Sequence, residues 1–188
     1  MSWHHVCILA RDLERTRKFY RELLQPQEVE EGWHPDDPGT RQLVMKDQGG
    51  IGWVFHFYPR SHRARPGEGS VVSLQVGHPT GQGKCLKDPD GLSLNLVPAS
   101  KRRLQSVSLC SGAEEFWRRW YPHQEGLELL KSSGQPPAAL GYGAVHHLAL
   151  KTRLLPGSNS PPVQGPGGTS RYLYSPCGML VELRCSAF

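Results

Sequence analysis

Trp3-His4-His5-Val6-Cys7-Ile8-Leu9 returns far along the chain as Val145-His146-His147-Leu148-Ala149-Leu150. Both stretches are short, apolar and alternating, the pattern of a half-buried strand. A third such stretch, Met179-Leu180-Val181-Glu182-Leu183, carries one carboxylate among hydrophobes. Two imidazoles and one carboxylate suit a non-haem Fe(II) or Mn(II) site, because three protein ligands leave coordination positions open.

Working outward from the first stretch, Asp12 is placed to cap a helix, with Leu13, Phe19, Tyr20, Leu23 and Leu24 on one apolar face and Pro26 ending it. Arg41 to Met45 and Gly52 to Tyr58 read as strands across the turn Asp47 to Gly50. This β-α-β-β-β order recurs in abridged form. Val71 to Val76, Leu104 to Leu109 and Val145 to Leu150 open further copies. A short helix is expected around Glu114 to Trp120 and a strand over Leu127 to Leu130. The Pro/Gly/Ser-rich segment Leu155 to Gly168 replaces the last helix.

Aligned on their opening strands, the copies match His5 and His147 with Ser73 and Ser106. Aligned on a glycine, the closing strands match Glu182 (after Gly178) with Asn95 (after Gly91) and His56 (after Gly52). Metal-capable residues therefore belong to the first and fourth copies. In strands, positions two apart share a face, so a fixed register turns them inward together. Two cups follow, one metal-binding and one structural.

Composition narrows the class. Hydrophobic residues are 37% of 188, with 21 Gly and 16 Pro, which favours short elements and many turns. No apolar run reaches membrane-spanning length and the N-terminus lacks a signal peptide's apolar core, so a cytoplasmic protein without membrane partners is expected. Five scattered cysteines, Cys7, Cys85, Cys110, Cys177 and Cys185, read as reduced thiols. The net charge is +5, and its basic runs, Arg60 to Arg65 and Lys101 to Arg103, hold no aromatics for stacking on bases, so no nucleic-acid partner is expected. His34, His62, His78 and His123 read as exposed loop residues, and Trp117, Trp120 and Tyr121 as core of the third copy.

The chain resembles the vicinal oxygen chelate superfamily, the glyoxalase/extradiol dioxygenase fold, and within it the four-module ring-cleaving dioxygenases of the hydroquinone type. Four stretches carry the likeness: His4-His5-Val6 with Arg11-Asp12-Leu13 and Phe19-Tyr20; Asp36-Asp37-Pro38-Gly39-Thr40; Arg65-Pro66-Gly67-Glu68-Gly69; and Gly143 to His147 with Tyr172 to Glu182. The resemblance implies an α+β fold of four abridged βαβββ modules forming two incomplete β-barrel cups. It implies module pairs over 1–99 and 100–188. It also implies Fe(II) or Mn(II) on His5, His147 and Glu182, with His4 and Tyr172 touching an aromatic diol that reacts with O2.

This chain departs from the resemblance in two respects. It is much shorter than such dioxygenases, and His56 stands where they usually carry a small hydroxyl residue. As a fourth ligand His56 would make the site like that of a glyoxalase-type lyase or isomerase; beside the metal it would serve as acid or base. A non-catalytic small-molecule binding module of the same fold is the third reading. Exposed module edges make a homodimer plausible.

Overall fold

A computed structural model describes residues 2–34, 37–57, 71–81, 83–111, 127–131, 145–152, 162–165, 168–174 and 180–185. The first module is complete: β1 (Ser2–Leu9), α1 (Leu13–Leu24), β2 (Glu28–His34), β3 (Asp37–Lys46) and β4 (Gly52–Phe57). The second contributes β5 (Val71–His78), β6 (Cys85–Lys87) and β7 (Ser93–Pro98). The third contributes β8 (Arg103–Ser111) and β9 (Leu127–Lys131). The fourth contributes β10 (Val145–Thr152), β11 (Val163–Gly165), β12 (Gly168–Tyr174) and β13 (Leu180–Cys185). The helix expected around Glu114 to Trp120 lies outside the described residues, as do His62, His123 and Cys177.

The first and fourth modules share an eight-stranded sheet, ordered β11-β12-β13-β10-β1-β4-β3-β2. The second and third share a five-stranded sheet, ordered β6-β7-β5-β8-β9. Each sheet is joined at its centre by two opening strands that run antiparallel, β1 with β10 and β5 with β8. Neither sheet closes on itself, so each is a cup.

Three strands lie where the sequence pattern does not announce them. β2, Glu28-Val29-Glu30-Glu31-Gly32-Trp33-His34, is exposed along nearly its whole length and has no buried face to imprint alternation. Its partner β3 supplies the pairing, and Arg41 of β3 and Arg17 of α1 both bond to Glu31. β6 and β11 have three residues each, too few for a period to register. β11 and the start of β12 also occupy part of the Pro/Gly/Ser-rich segment.

Helix α1 starts where Asp12 accepts hydrogen bonds from the Glu14 and Arg15 backbone N–H groups, and it stops at Gln25 in a left-handed turn before Pro26. Its inner face lays Tyr20 against Trp53 and Phe55 of β4, ring centroids 5.5 and 4.5 Å away. The Tyr20 hydroxyl donates to Asp88 at 3.1 Å, which ties the first module to the second. Buried residues from both sheets form one continuous core.

Candidate metal centre

Each histidine pair sits at a β-bulge. Trp3 pairs with Leu150 and His5 with Ala149, which leaves His4 as the extra residue of β1. Cys7 pairs with His147 and Ile8 with Val145, which leaves His146 as the extra residue of β10. The second sheet repeats the device, with Val72 extra in β5 and Gln105 extra in β8. A bulge kinks a strand and re-aims the side chains around it. Here it brings successive imidazoles into contact, with His4 Nδ1 2.8 Å from His5 Nδ1 and His146 Nδ1 2.9 Å from His147 Nδ1.

The other ring nitrogens converge. His5 Nε2 and His147 Nε2 are 2.9 Å apart, and Glu182 Oε2 lies 3.4 and 3.5 Å from them. All three side chains are buried. Donors on one face of an octahedron, with bonds of about 2.1 Å, lie about 3 Å apart, so this spacing fits a divalent ion. A metal on Nε2 of His5 or His147 requires the ring proton on Nδ1, and His4 Nδ1 and His146 Nδ1 stand in place to accept it. Ser170 of β12 donates to Glu182 Oε1 at 2.6 Å, which fixes the carboxylate and leaves Oε2 facing the histidines.

The electrostatics keep Glu182 and His5 in ligand-competent forms. Burial alone would raise the Glu182 pKa, but the hydrogen bond from His147, the fields of His5 and His147 and the Ser170 hydroxyl together hold it to about 2. Burial, then His147, push His5 well below 6.5. Burial brings His4 to about 4, helped by Arg184, Lys151 and Lys46. A second donor group, Cys7 with His146 and His147, adjoins the first. Cys7 is fully buried, and burial pushes its thiol well above 9, so it stays protonated without a metal to displace the proton.

The donors open into a cleft of about 450 Å³, within the usual size for a small-molecule site. His4, Tyr172, His56, His34 and Val54 line it. Tyr172 pairs with Glu182 across β12 and β13, and its ring stands edge-on to His147, centroids 6.1 Å apart. His34 lies at the end of β2 with its ring 5.1 Å from that of His56, so it is a cleft residue and the loop assignment is corrected. His78 closes β5, so its loop assignment is corrected as well.

The register also corrects the glycine alignment at His56. Leu180 pairs with His147, Ser93 with Ser73 and Gly52 with His5, so these three are equivalent. Two residues on, Glu182 matches Asn95 and Val54, and His56 lies two positions further. The turn glycine equivalent to Gly91 is Gly50: both have positive φ, and each donates its N–H to the backbone carbonyl of an aspartate, Gly91 to Asp88 and Gly50 to Asp47. His56 is buried with its ring centroid 6.4 Å from that of His147, and among the described residues it completes no donor group.

In the second cup the equivalent positions hold Ser73, Ser106 and Asn95, with Asn95 Nδ2 donating to Ser73 Oγ at 3.2 Å. The sequence does not announce Ser170 or the close approach of Gly52 to His5. Ser170 could have been found from its place two residues before Tyr172 on one strand face. Gly52 carries no sequence signal, because its role is the close approach of β4 to His5: a Cβ there would stand 2.9 Å from His5 Cβ.

No protein-family profile and no curated protein sequence matches the chain. Solved structures do. A putative dioxygenase from Bacillus subtilis subsp. subtilis str. 168 superposes with a TM-score of 0.72 at 17% identity, covering 100% of this chain and 86% of that one. Glyoxalase I from Zea mays superposes with a TM-score of 0.70 at 13% identity, covering 98% and 92%. A point variant of that glyoxalase I gives 0.70 at 14%, covering 98% and 92%. The protein has the vicinal oxygen chelate fold. No described helix is long and apolar enough to cross a membrane.

Proposed function

We propose that the protein is a ring-cleaving dioxygenase of a hydroquinone or catechol, with Fe(II) or Mn(II) held by His5, His147 and Glu182. The observation that carries this reading is the three-donor set with Val54 at the fourth register position. An aliphatic side chain there leaves room for exogenous ligands, where a fourth protein donor would take it up. This favours dioxygenase chemistry over a four-ligand lyase or isomerase. When bound, the metal supplies Lewis acidity that lowers the pKa of a chelating phenol, and open positions for both reactants.

The chain's own residues position the substrate. A His4 whose Nδ1 accepts from His5 carries its proton on Nε2, and at neutral pH it is uncharged. It then serves as a hydrogen-bond donor to an oxygen that gains negative charge. Tyr172, on the face of β12 beside Glu182, offers a phenol to the ring substituents. The Val44 and Val54 side chains line the cleft as an apolar surface for the ring.

The test is anaerobic loading with Fe(II) or Mn(II), metal analysis, then oxygen-electrode assays with hydroquinone and catechol. One ion per chain with diol-dependent O2 uptake is expected, and His147→Ala and Glu182→Ala should each lose the ion. Metal without O2 uptake would turn the reading to a lyase or isomerase. Wild-type protein that takes up no ion would leave a binding module.

A further inference from the structure

One part of the cleft lining is cationic. Among the described residues its lining holds Lys46, Lys151 and Arg184 against Glu30 and Glu182. The lining side chains alone sum to one positive charge, which Glu28 offsets through Lys46, and a divalent ion on the donor set would add two. Lys46 already bonds to Glu28 at 2.5 Å. Lys151 is exposed and makes no ion pair among the described residues. Arg184 Nη1 lies 3.8 Å from Glu182 Oε1, the oxygen that Ser170 holds.

Strand geometry places these cations relative to the donors. Glu182 and Arg184 are two apart on β13, and His147 and Lys151 are four apart on β10, so each pair shares a face. Lys151 and Arg184 are register partners, and they form one cationic step in the cleft lining. At about 3.3 Å per residue that step begins about 6–7 Å along β13 from Glu182, the span of one substituted ring.

We propose that the substrate is an aromatic diol bearing a ring carboxylate, with the diol at the donor set and the carboxylate received by Lys151 and Arg184. This rests on reading the cleft as a diol site. The guanidinium suits a carboxylate because its planar fork matches the two oxygens, and Lys151 adds a charge that no acid among the described residues pairs with.

The experiment compares 2,5-dihydroxybenzoate with hydroquinone, and 3,4-dihydroxybenzoate with catechol, by anaerobic calorimetry on the metal-loaded protein. The carboxylated member of each pair should bind about tenfold or more tightly at low salt. The preference should shrink in about 0.5 M NaCl, where screening reaches only a few ångströms. Lys151→Glu should abolish it and Lys151→Arg should restore it. Equal affinities within each pair, or a preference untouched by Lys151→Glu, would overturn the proposal. Binding is read without oxygen, so the two readings separate. A carboxylate preference without O2 uptake overturns ring cleavage alone, and O2 uptake without the preference overturns the carboxylate step alone.

Discussion

Val54 on β4 stands at the register position that Glu182 holds on β13. Each is the parallel-strand partner of the residue two beyond a ligand-position histidine: Cys7 with Val54, Ala149 with Glu182. The pseudo-symmetric cup thus presents three donors and one aliphatic wall. Val54→Glu should supply the fourth donor. Without metal, a second carboxylate near Glu182 adds like-charge repulsion, so the apo variant should melt lower than wild type. With metal, affinity should rise about tenfold, because another anionic donor neutralises the ion. Diol-dependent O2 uptake should fall by about two orders of magnitude as an open position is taken. Unchanged metal affinity in calorimetry would show that position 54 does not reach the ion.

The histidine pairs were legible because paired imidazoles inside alternating strands have no ordinary core role, and Glu182 because a lone acid among Leu and Val needs a partner. The cup assignment followed from matching copies. The closing register of the first copy was not legible from glycine alone, since Gly49, Gly50 and Gly52 crowd one turn. The discriminating signal is the aspartate three residues earlier, Asp47 before Gly50 as Asp88 before Gly91. β2 and its His34 escaped notice because a strand exposed on both faces leaves no period in the sequence. The closeness of Gly52 to His5 is a property of two backbones, and no local pattern encodes it.

That closeness makes Gly52→Ala a sharp test. The new methyl would meet His5 Cβ at 2.9 Å and the His4 carbonyl oxygen at 3.4 Å, so β1 must shift by tenths of an ångström. Overpacking of this kind costs about 1–3 kcal/mol. Displacing His5 should also weaken metal binding about 10–100-fold, the effect seen when a ligand loses its support. Gly32→Ala on β2 meets nothing within 4 Å and is the control. Equal metal affinities in the two variants would refute the role of Gly52.

Asp47 is a structural anchor of the eight-stranded cup. Its Oδ1 accepts from the Gly49 and Ile51 N–H groups at 2.8 and 3.0 Å. Its Oδ2 accepts from Trp53 Nε1 at 3.0 Å and from the Leu104 N–H at 2.8 Å, the last joining β4's turn to β8 of the other sheet. Asp47→Ala strands several buried donors and should cost about 3–5 kcal/mol in urea unfolding. Asp47→Asn presents N–H groups to two donors and should recover only part of that. A loss below about 1 kcal/mol for the alanine variant would mean that water replaces the carboxylate.

The pKa shifts set an acid-side dependence for the metal-free protein. His4, at about 4, and His5, well below 6.5, are both lower folded than unfolded. Below about pH 6.5 the unfolded chain therefore binds protons that the folded one refuses, and stability falls as pH falls. Glu182, depressed to about 2, acts in the same direction further down: its contribution is complete above about 4.5 and is lost between there and 2. The His4 share should be about 1–2 kcal/mol, reduced by its partial exposure to solvent. Urea midpoints of the apo protein should be level above about pH 7 and decline from about 6.5 toward 5. His4→Asn removes one titrating imidazole and keeps an acceptor for His5, so its decline should be shallower. A wild-type midpoint that stays level down to pH 5 would mean that the imidazoles keep their ordinary pKa in the folded cup, and the neutral His4 donor proposed for the substrate oxygen would then be lost.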